Sequence, residues 1–422
     1  MKAWLLAIAA LVLSIALFLR LWSAWSGTAA CTWDDSTYRA LAVESPLSLP
    51  QVVRSIILPT IDNHPKIKIN TGYILWLVMG LRTFGWLGTP SGSWGCFASQ
   101  TERAWQVVNI WLLLIQLWCV YGIARWGLGD RSLAMAIMTA YLVAPIVFGM
   151  NRWVMTENHV MAALWVAIAM ALWAVVSQRK WAPILAAVAI GVFATTREYA
   201  LPLLMLITLG AFVAFLCERR YGAALIFLLI AGSYEICALI TALPAFDAAR
   251  QKLLDPEAQR QFFNPMGAWL AHMVMESWGP GLTAILLAGA AWIAWSLYER
   301  RALRLEGPTV LWITLGIVMV GTMGGAYATA QRLVRPSIPP FIFCMAFVLV
   351  GLRVVGTPVV ARRGTLAAAL GCALLGSAAL LTYHLFVRFD QGRSYKHHAA
   401  FMEYYDHPLW LRPTIDRNDR HY

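Results

Sequence analysis

The chain has 422 residues, is 60% hydrophobic and only 13% charged, and carries a formal net charge of +12. Its mean hydropathy of +0.64 excludes a soluble domain of this length, whose outside would need far more polar surface. The positive balance does not point to nucleic acid: the basic residues fall in short clusters between apolar blocks, the positive-inside pattern of a membrane protein, not in one stripe.

The apolar blocks run to about 17–24 residues, enough to cross a hydrocarbon core of roughly 30 Å at about 1.5 Å per residue. In lipid every backbone N–H and C=O needs an internal partner, so such blocks must be helices. The expected fold class is all-α, a polytopic membrane protein of about eleven transmembrane helices. In chain order the spans are expected at 3–22, 104–124, 132–150, 159–177, 182–196, 201–217, 222–241, 280–297, 309–327, 339–356 and 365–386. The first follows Met1-Lys2 and runs apolar to Leu19, long for a signal peptide, so it is expected to remain as an uncleaved span. Several tryptophans (Trp22, Trp25, Trp153, Trp173, Trp278) fall near predicted span ends, where an interfacial belt favours them.

One set of connections carries Lys2, Arg125/Arg131, Arg179/Lys180, Arg219/Arg220, Arg300/Arg301/Arg304 and Arg362/Arg363. These alternate along the chain, which sets that side as cytoplasmic, with the N-terminus inside a plasma (inner) membrane. The other side then holds a first outer loop at 23–103, turns at 151–158 and 197–200, a loop at 242–279, the turn 328–338 and a tail at 387–422. Segment 71–88 is apolar enough to be a span, but counting it as one would move the 125–131 and 179–180 clusters outside. It is therefore expected as a helix lying along or dipping into the membrane. The organisation is one membrane domain over 1–386 and a short outer tail, with no internal repeat.

The seven cysteines form no CxxC pair, so neither a zinc site nor a redox motif is indicated. Five (Cys119, Cys217, Cys237, Cys344, Cys372) lie in apolar spans and read as small core residues. Cys31 and Cys96 both fall on the outer side, where a disulfide is chemically allowed.

The acids are more informative. Asp34 and Asp35 follow the first span, Glu157 heads the fourth and Glu198 heads the sixth, all on the outer side. Carboxylates near hydrocarbon are costly unless paired, which makes them functional candidates, although acids at helix N-termini can simply cap. Cations lie on the same face: Lys66 and Lys68 after His64-Pro65, Arg152, Arg197, and Arg332 and Arg335. They run against the topology bias, and Arg forks suit phosphate oxygens as well as carboxylates. Together these groups suit one reaction class, in which a base takes a proton from an acceptor while cations stabilise a departing phosphate. Nucleotide sugars are absent outside, so an activated group there would arrive on a lipid phosphate.

Four segments carry a resemblance: Trp33-Asp34-Asp35-Ser36-Thr37-Tyr38; Asn63-His64-Pro65-Lys66 with Thr71-Gly72-Tyr73 and Phe84-Gly85; Met155-Thr156-Glu157-Asn158; and Arg332-Leu333-Val334-Arg335-Pro336 with Ile338-Pro339-Pro340. In this order and on one side of the membrane, they resemble the GT-C membrane glycosyltransferases, particularly the family 39 group of protein O-mannosyltransferases and aminoarabinose transferases. The chain departs from that pattern in having Asp34-Asp35 for Asp-Glu, Val334 for a tyrosine, and no large C-terminal soluble domain. The resemblance implies a GT-C fold and an inverting transfer from a polyprenyl-phosphate sugar to a lipid, glycan or protein acceptor. It implies Asp34, with Asp35 beside it, as the base, Glu157 as its helper, and Lys66, Lys68, Arg332 and Arg335 on the donor phosphate. Tyr38, His64, Arg152, Arg197, Glu198 and His272 are candidates for donor or acceptor contacts. No cofactor is expected to be required. His64, His159 and His272 could complete a divalent-metal site with Asp34 and Glu157, but their spacing fits no ligand motif and no metal is expected.

Three other readings fit a polytopic chain less well. An O-antigen polymerase or ligase would carry a larger central outer loop. A transporter or flippase would place charges near mid-membrane, where this sequence offers chiefly Glu235, with Gln106 and Gln116 polar only. A non-catalytic subunit would share the fold alone.

Overall fold

The computed structural model describes residues 2–26, 42, 65–87, 102–144, 147–148, 151, 156–193, 200–254, 279–299, 307–311 and 363–382. Among them there are helices and no strand. In chain order these are α1 (Lys2–Ser26), α2 (Pro65–Phe84) with a short 3-10 turn at Gly85–Leu87, α3 (Glu102–Leu128), α4 (Arg131–Leu142) and α5 (Thr156–Val176). They continue with α6 (Ala182–Val192), α7 (Ala200–Cys217), α8 (Tyr221–Leu254), α9 (Gly279–Tyr298) and α10 (Arg363–Thr382).

Among the described residues, four stretches are long and apolar enough to cross a membrane: Ala3–Trp25, Arg103–Leu128, Asn158–Val176 and Tyr221–Ile240. Shorter apolar helices occupy Ala182–Val192, Leu201–Cys217, Gly281–Trp295 and Ala368–Thr382. The side-chain distribution is that of lipid-facing helices. On α1 the outward stripe is Leu11, Ile15, Phe18 and Trp22, while Leu5, Ala9, Val12 and Ala16 are buried. Large apolar groups outside and small ones at the contacts suit a solvent as apolar as the core itself, where close backbone approach replaces the hydrophobic drive. The main core continues this alanine-rich packing through Ala134, Ala136, Ala140, Ala167 and Ala171.

Turns between helices follow local chemistry. Gly129, at φ 66°, ends α3, and its amide donates to the Arg125 carbonyl at 3.0 Å; glycine occupies this left-handed position at no steric cost. Asp130 then caps α4, its carboxylate accepting from the Ser132 and Leu133 amides at 2.8 and 3.3 Å. Pro183 opens α6, where its missing N–H costs nothing.

The helices alternate in direction. Arg20, near the end of α1, meets Gln106, near the start of α3. Thr139 of α4 donates to the Ala9 carbonyl, Gly281 of α9 donates to Ser377 Oγ of α10, and Trp4 of α1 packs on Gly371 of α10. At the far end of α5, Arg220 donates to the Ala174 and Val175 carbonyls. The alternation gathers positions 2, 125, 131, 179, 180, 219, 220 and 363 at one end of the bundle, the basic end. The ends of α1, α4 and α8 and the starts of α3, α5 and α9 lie at the other.

Several boundaries differ from the sequence expectation. The helix expected over 132–150 ends at Leu142, capped by Val143; Pro145 follows in sequence, and proline both lacks an N–H and disfavours helix in the residue before it. That over 182–196 ends at Val192. Their 12 and 11 residues give about 18 Å each, short of a roughly 30 Å core. Conversely α8 runs through Leu254, so the expected loop at 242–279 begins as helix. Cys119 is buried as expected, but Cys217 and Cys372 are exposed, because a helix apolar all round has no sequence signal for which face turns inward. The expected spans at 309–327 and 339–356, the tail at 387–422, Cys31 and Cys96 lie outside the described residues, apart from the start of the former in 307–311.

Within segment 71–88, residues 71–87 are helical, as part of α2 and the following turn. It is not among the helices apolar enough to span. Tyr73 meets Asn109, Gly80 meets Ala104 and Val108, and the Leu87 carbonyl accepts from Arg103 at 3.0 Å. The contact points on α2 and its turn are more than twice as far apart in sequence as those on α3, so α2 crosses the α3 start obliquely.

Candidate functional site

A buried polar layer lies at the end of the bundle opposite the basic end. Its centre is Arg20, only 1% exposed although it sits in an otherwise apolar helix. Its Nε donates to Asn151 Oδ1, and its Nη2 donates to Gln106 Oε1 and to the Asn151 carbonyl, each at 2.7 Å. These three acceptors are amide oxygens, and together they fix the orientation of the guanidinium plane. Ionisable residues within a membrane helix are rare and costly unless they find polar partners, so such residues mark functional positions.

Asn151 extends the layer, donating from Nδ2 to the Asn109 carbonyl at 2.6 Å and to Asn158 Oδ1 at 3.3 Å. Asn109 Oδ1 accepts from the Tyr73 hydroxyl at 3.2 Å, tying α2 to α3. Two turns further along α3, Gln116 Nε2 donates to the Asn158 carbonyl and Gln116 Oε1 accepts from Tyr141 at 2.7 Å. Five helices (α1 to α5) and the residue Asn151 are thereby joined through side-chain amides. His159 lies buried between the rings of Tyr73 and Phe193, at centroid distances of 6.4 and 5.2 Å. Its Nδ1 has no hydrogen-bond partner among the described residues.

The described backbone includes three of the sequence candidates. Lys66 and Lys68 stand in the first turn of α2, and Glu157 is the second residue of α5, next to Asn158. The Tyr73–His159 stacking links these two helices directly, and the bonds Tyr73–Asn109, Asn151–Asn109 and Asn151–Asn158 link them through the polar layer. Asp34, Asp35, Tyr38, His64, Arg152, Arg197, Glu198, His272, Arg332 and Arg335 lie outside the described residues. Among the described residues no group of three or more His, Cys, Asp or Glu could hold a metal ion.

Sequence reasoning weighed Gln106 and Gln116 only as mid-membrane polar residues, and did not single out Arg20, Asn109, Asn151 or Tyr141. Arg20 carried a signal, a charge six residues before the end of an apolar helix. The neutral partners carried none individually.

Glu235 forms a separate buried polar contact. It is 2% exposed in α8, and its Oε1 accepts from Thr208 Oγ1 of α7 at 2.7 Å.

Fold and site together define an all-helical protein, with helices able to cross a membrane and an arginine-centred amide cluster buried at one end. No family model matches the chain, and no curated protein matches it either.

Proposed function

We propose that this chain is an inverting glycosyltransferase of GT-C type with about eleven spans, acting at the outer face of a plasma membrane on a polyprenyl-phosphate-linked sugar. The observation that carries this reading is the polar layer. It buries a cation at the end of α1, just before Asp34-Asp35, and joins the two helices whose first turns contain Lys66, Lys68 and Glu157. A buried amide network of this kind is what a site for charged transition states needs, since preorganised dipoles avoid reorganisation during the reaction.

In the proposed step the Asp34 carboxylate accepts the proton of an acceptor hydroxyl or amine. The acceptor atom bonds to the sugar's anomeric carbon from the face opposite the phosphate. The anomeric C–O bond breaks, and its electron pair leaves with the polyprenyl phosphate, whose charge Lys66, Lys68, Arg332 and Arg335 stabilise. Asp35 and Glu157 orient the acceptor and the base. Tyr38, His64, Arg152, Arg197, Glu198 and His272 supply contacts to either substrate.

Loss of a general base removes about 10²–10⁴-fold of rate. Asp34→Asn is therefore expected to reduce sugar transfer at least about a hundredfold with protein abundance unchanged. Retained turnover would remove Asp34 from the mechanism.

A second reading, transport of a lipid-linked sugar, draws on the buried carboxyl of Glu235. That group has a structural partner in Thr208, and it stands on a different helix pair from the polar layer.

A further inference from the structure

A groove of about 820 Å³ runs along the outside of the bundle between α3 and α5. Its α3 wall is a row one turn apart, Trp118, Gly122 and Trp126, and its α5 wall includes Ala169, Met170 and Trp173. Residues four apart share a helix face, so the missing side chain at Gly122 opens a slot between two indoles. A Cβ built on Gly122 meets nothing within 4 Å, and Trp118 is 80% exposed. A slot this narrow and apolar suits a flexible hydrocarbon chain.

The groove reaches the basic end of the bundle at Val176 and Ser177. There Ser177 Oγ accepts from the Arg179 amide at 3.3 Å. The Arg179 guanidinium lies over the Trp181 ring at 5.3 Å, and Trp181 packs 5.3 Å from Trp173, which lines the groove. Lys180 is adjacent and both basic residues are exposed; Arg125 stands in the last turn of α3 at the same end. The apolar slot and the cationic mouth are therefore connected through the packed rings of Trp173 and Trp181.

We infer that this groove binds one anionic phospholipid from the leaflet at the basic end, with an acyl chain between α3 and α5 and the phosphate at Arg179 and Lys180. Basic residues flanking a groove between membrane helices attract anionic headgroups. A second copy of the chain fits the face less well, because a two-fold contact would bring the same cations together. This site is independent of the transfer chemistry at the opposite end.

Native mass spectrometry of the purified full chain, with dioleoyl phosphatidylglycerol or dioleoyl phosphatidylcholine added, tests the assignment. One phosphatidylglycerol should be retained per chain, and two cations near a membrane surface correspond to a preference of roughly thirtyfold over phosphatidylcholine. The double variant Arg179→Gln/Lys180→Gln should abolish that preference. Gly122→Leu, which fills open space, should lower retention of both lipids without lowering the thermal transition. Equal retention of the two lipids by the unaltered chain would overturn the inference, as would undiminished phosphatidylglycerol retention in Gly122→Leu. A dimer that Gly122→Leu dissociates would assign the face to a second copy instead.

Discussion

Arg20 shows how a single residue can organise a membrane protein's interior. Its planar fork serves two acceptors on Asn151 and one on Gln106, a geometry that an ammonium on a flexible stem does not reproduce. Arg20→Leu would leave three buried acceptors without these donors. Hydrogen bonds to charged groups contribute about 1.5–3 kcal/mol each, so the variant should unfold at a clearly lower temperature in detergent. Arg20→Lys should fall between the two, and equal stability of all three proteins would refute the structural role. Glu235 is the contrasting case. Glu235→Gln retains an oxygen for Thr208 and is expected to change stability by less than about 1 kcal/mol. The sequence marked Arg20 only as the end of an apolar run, because its partner Asn151 is 131 positions away. No periodic pattern reports a contact of that separation.

At the scale of helices, glycine positions distinguish packed faces from open ones. A Cβ at Gly80 of α2 would collide with Val108 Cγ2 of α3, and a β-branched side chain in a helix has little rotamer freedom to retreat. Gly80→Ala should therefore push α2 from α3 and cost about 1–3 kcal/mol. Gly122→Ala, on the open side of α3, should be neutral or stabilise by up to about 1 kcal/mol through helix propensity. Thermal unfolding of the two variants side by side measures the difference, and equal shifts would refute the oblique packing of α2. Existence and order of the described helices were legible from hydropathy alone. Their ends were less so: Val143, Ala144 and the residues to Met150 continue the apolar run beyond the end of α4, and hydropathy does not register a lost backbone hydrogen bond. The continuation of α8 to Leu254 was hidden in the opposite way, by Pro244, Asp247 and Arg250, which read as loop composition.

For the whole molecule, antiparallel alternation turns a one-dimensional list of basic clusters into a charged end and a polar-layered end. The charged end was visible in the sequence, since positive residues recur between apolar blocks. The amide layer opposite was not, because Asn and Gln within helices carry no positional bias that distinguishes a network from scattered polar residues. The proposed chemistry is assigned to that second end, where Arg20 and the first turns of α2 and α5 lie. Its most direct test is transfer from a radiolabelled polyprenyl-phosphate sugar by the purified chain in liposomes, comparing the unaltered protein, Asp34→Asn and Glu235→Gln. The account predicts labelled acceptor from the unaltered protein and from Glu235→Gln, and none from Asp34→Asn. Loss of activity only in Glu235→Gln, with Asp34→Asn fully active, would contradict it.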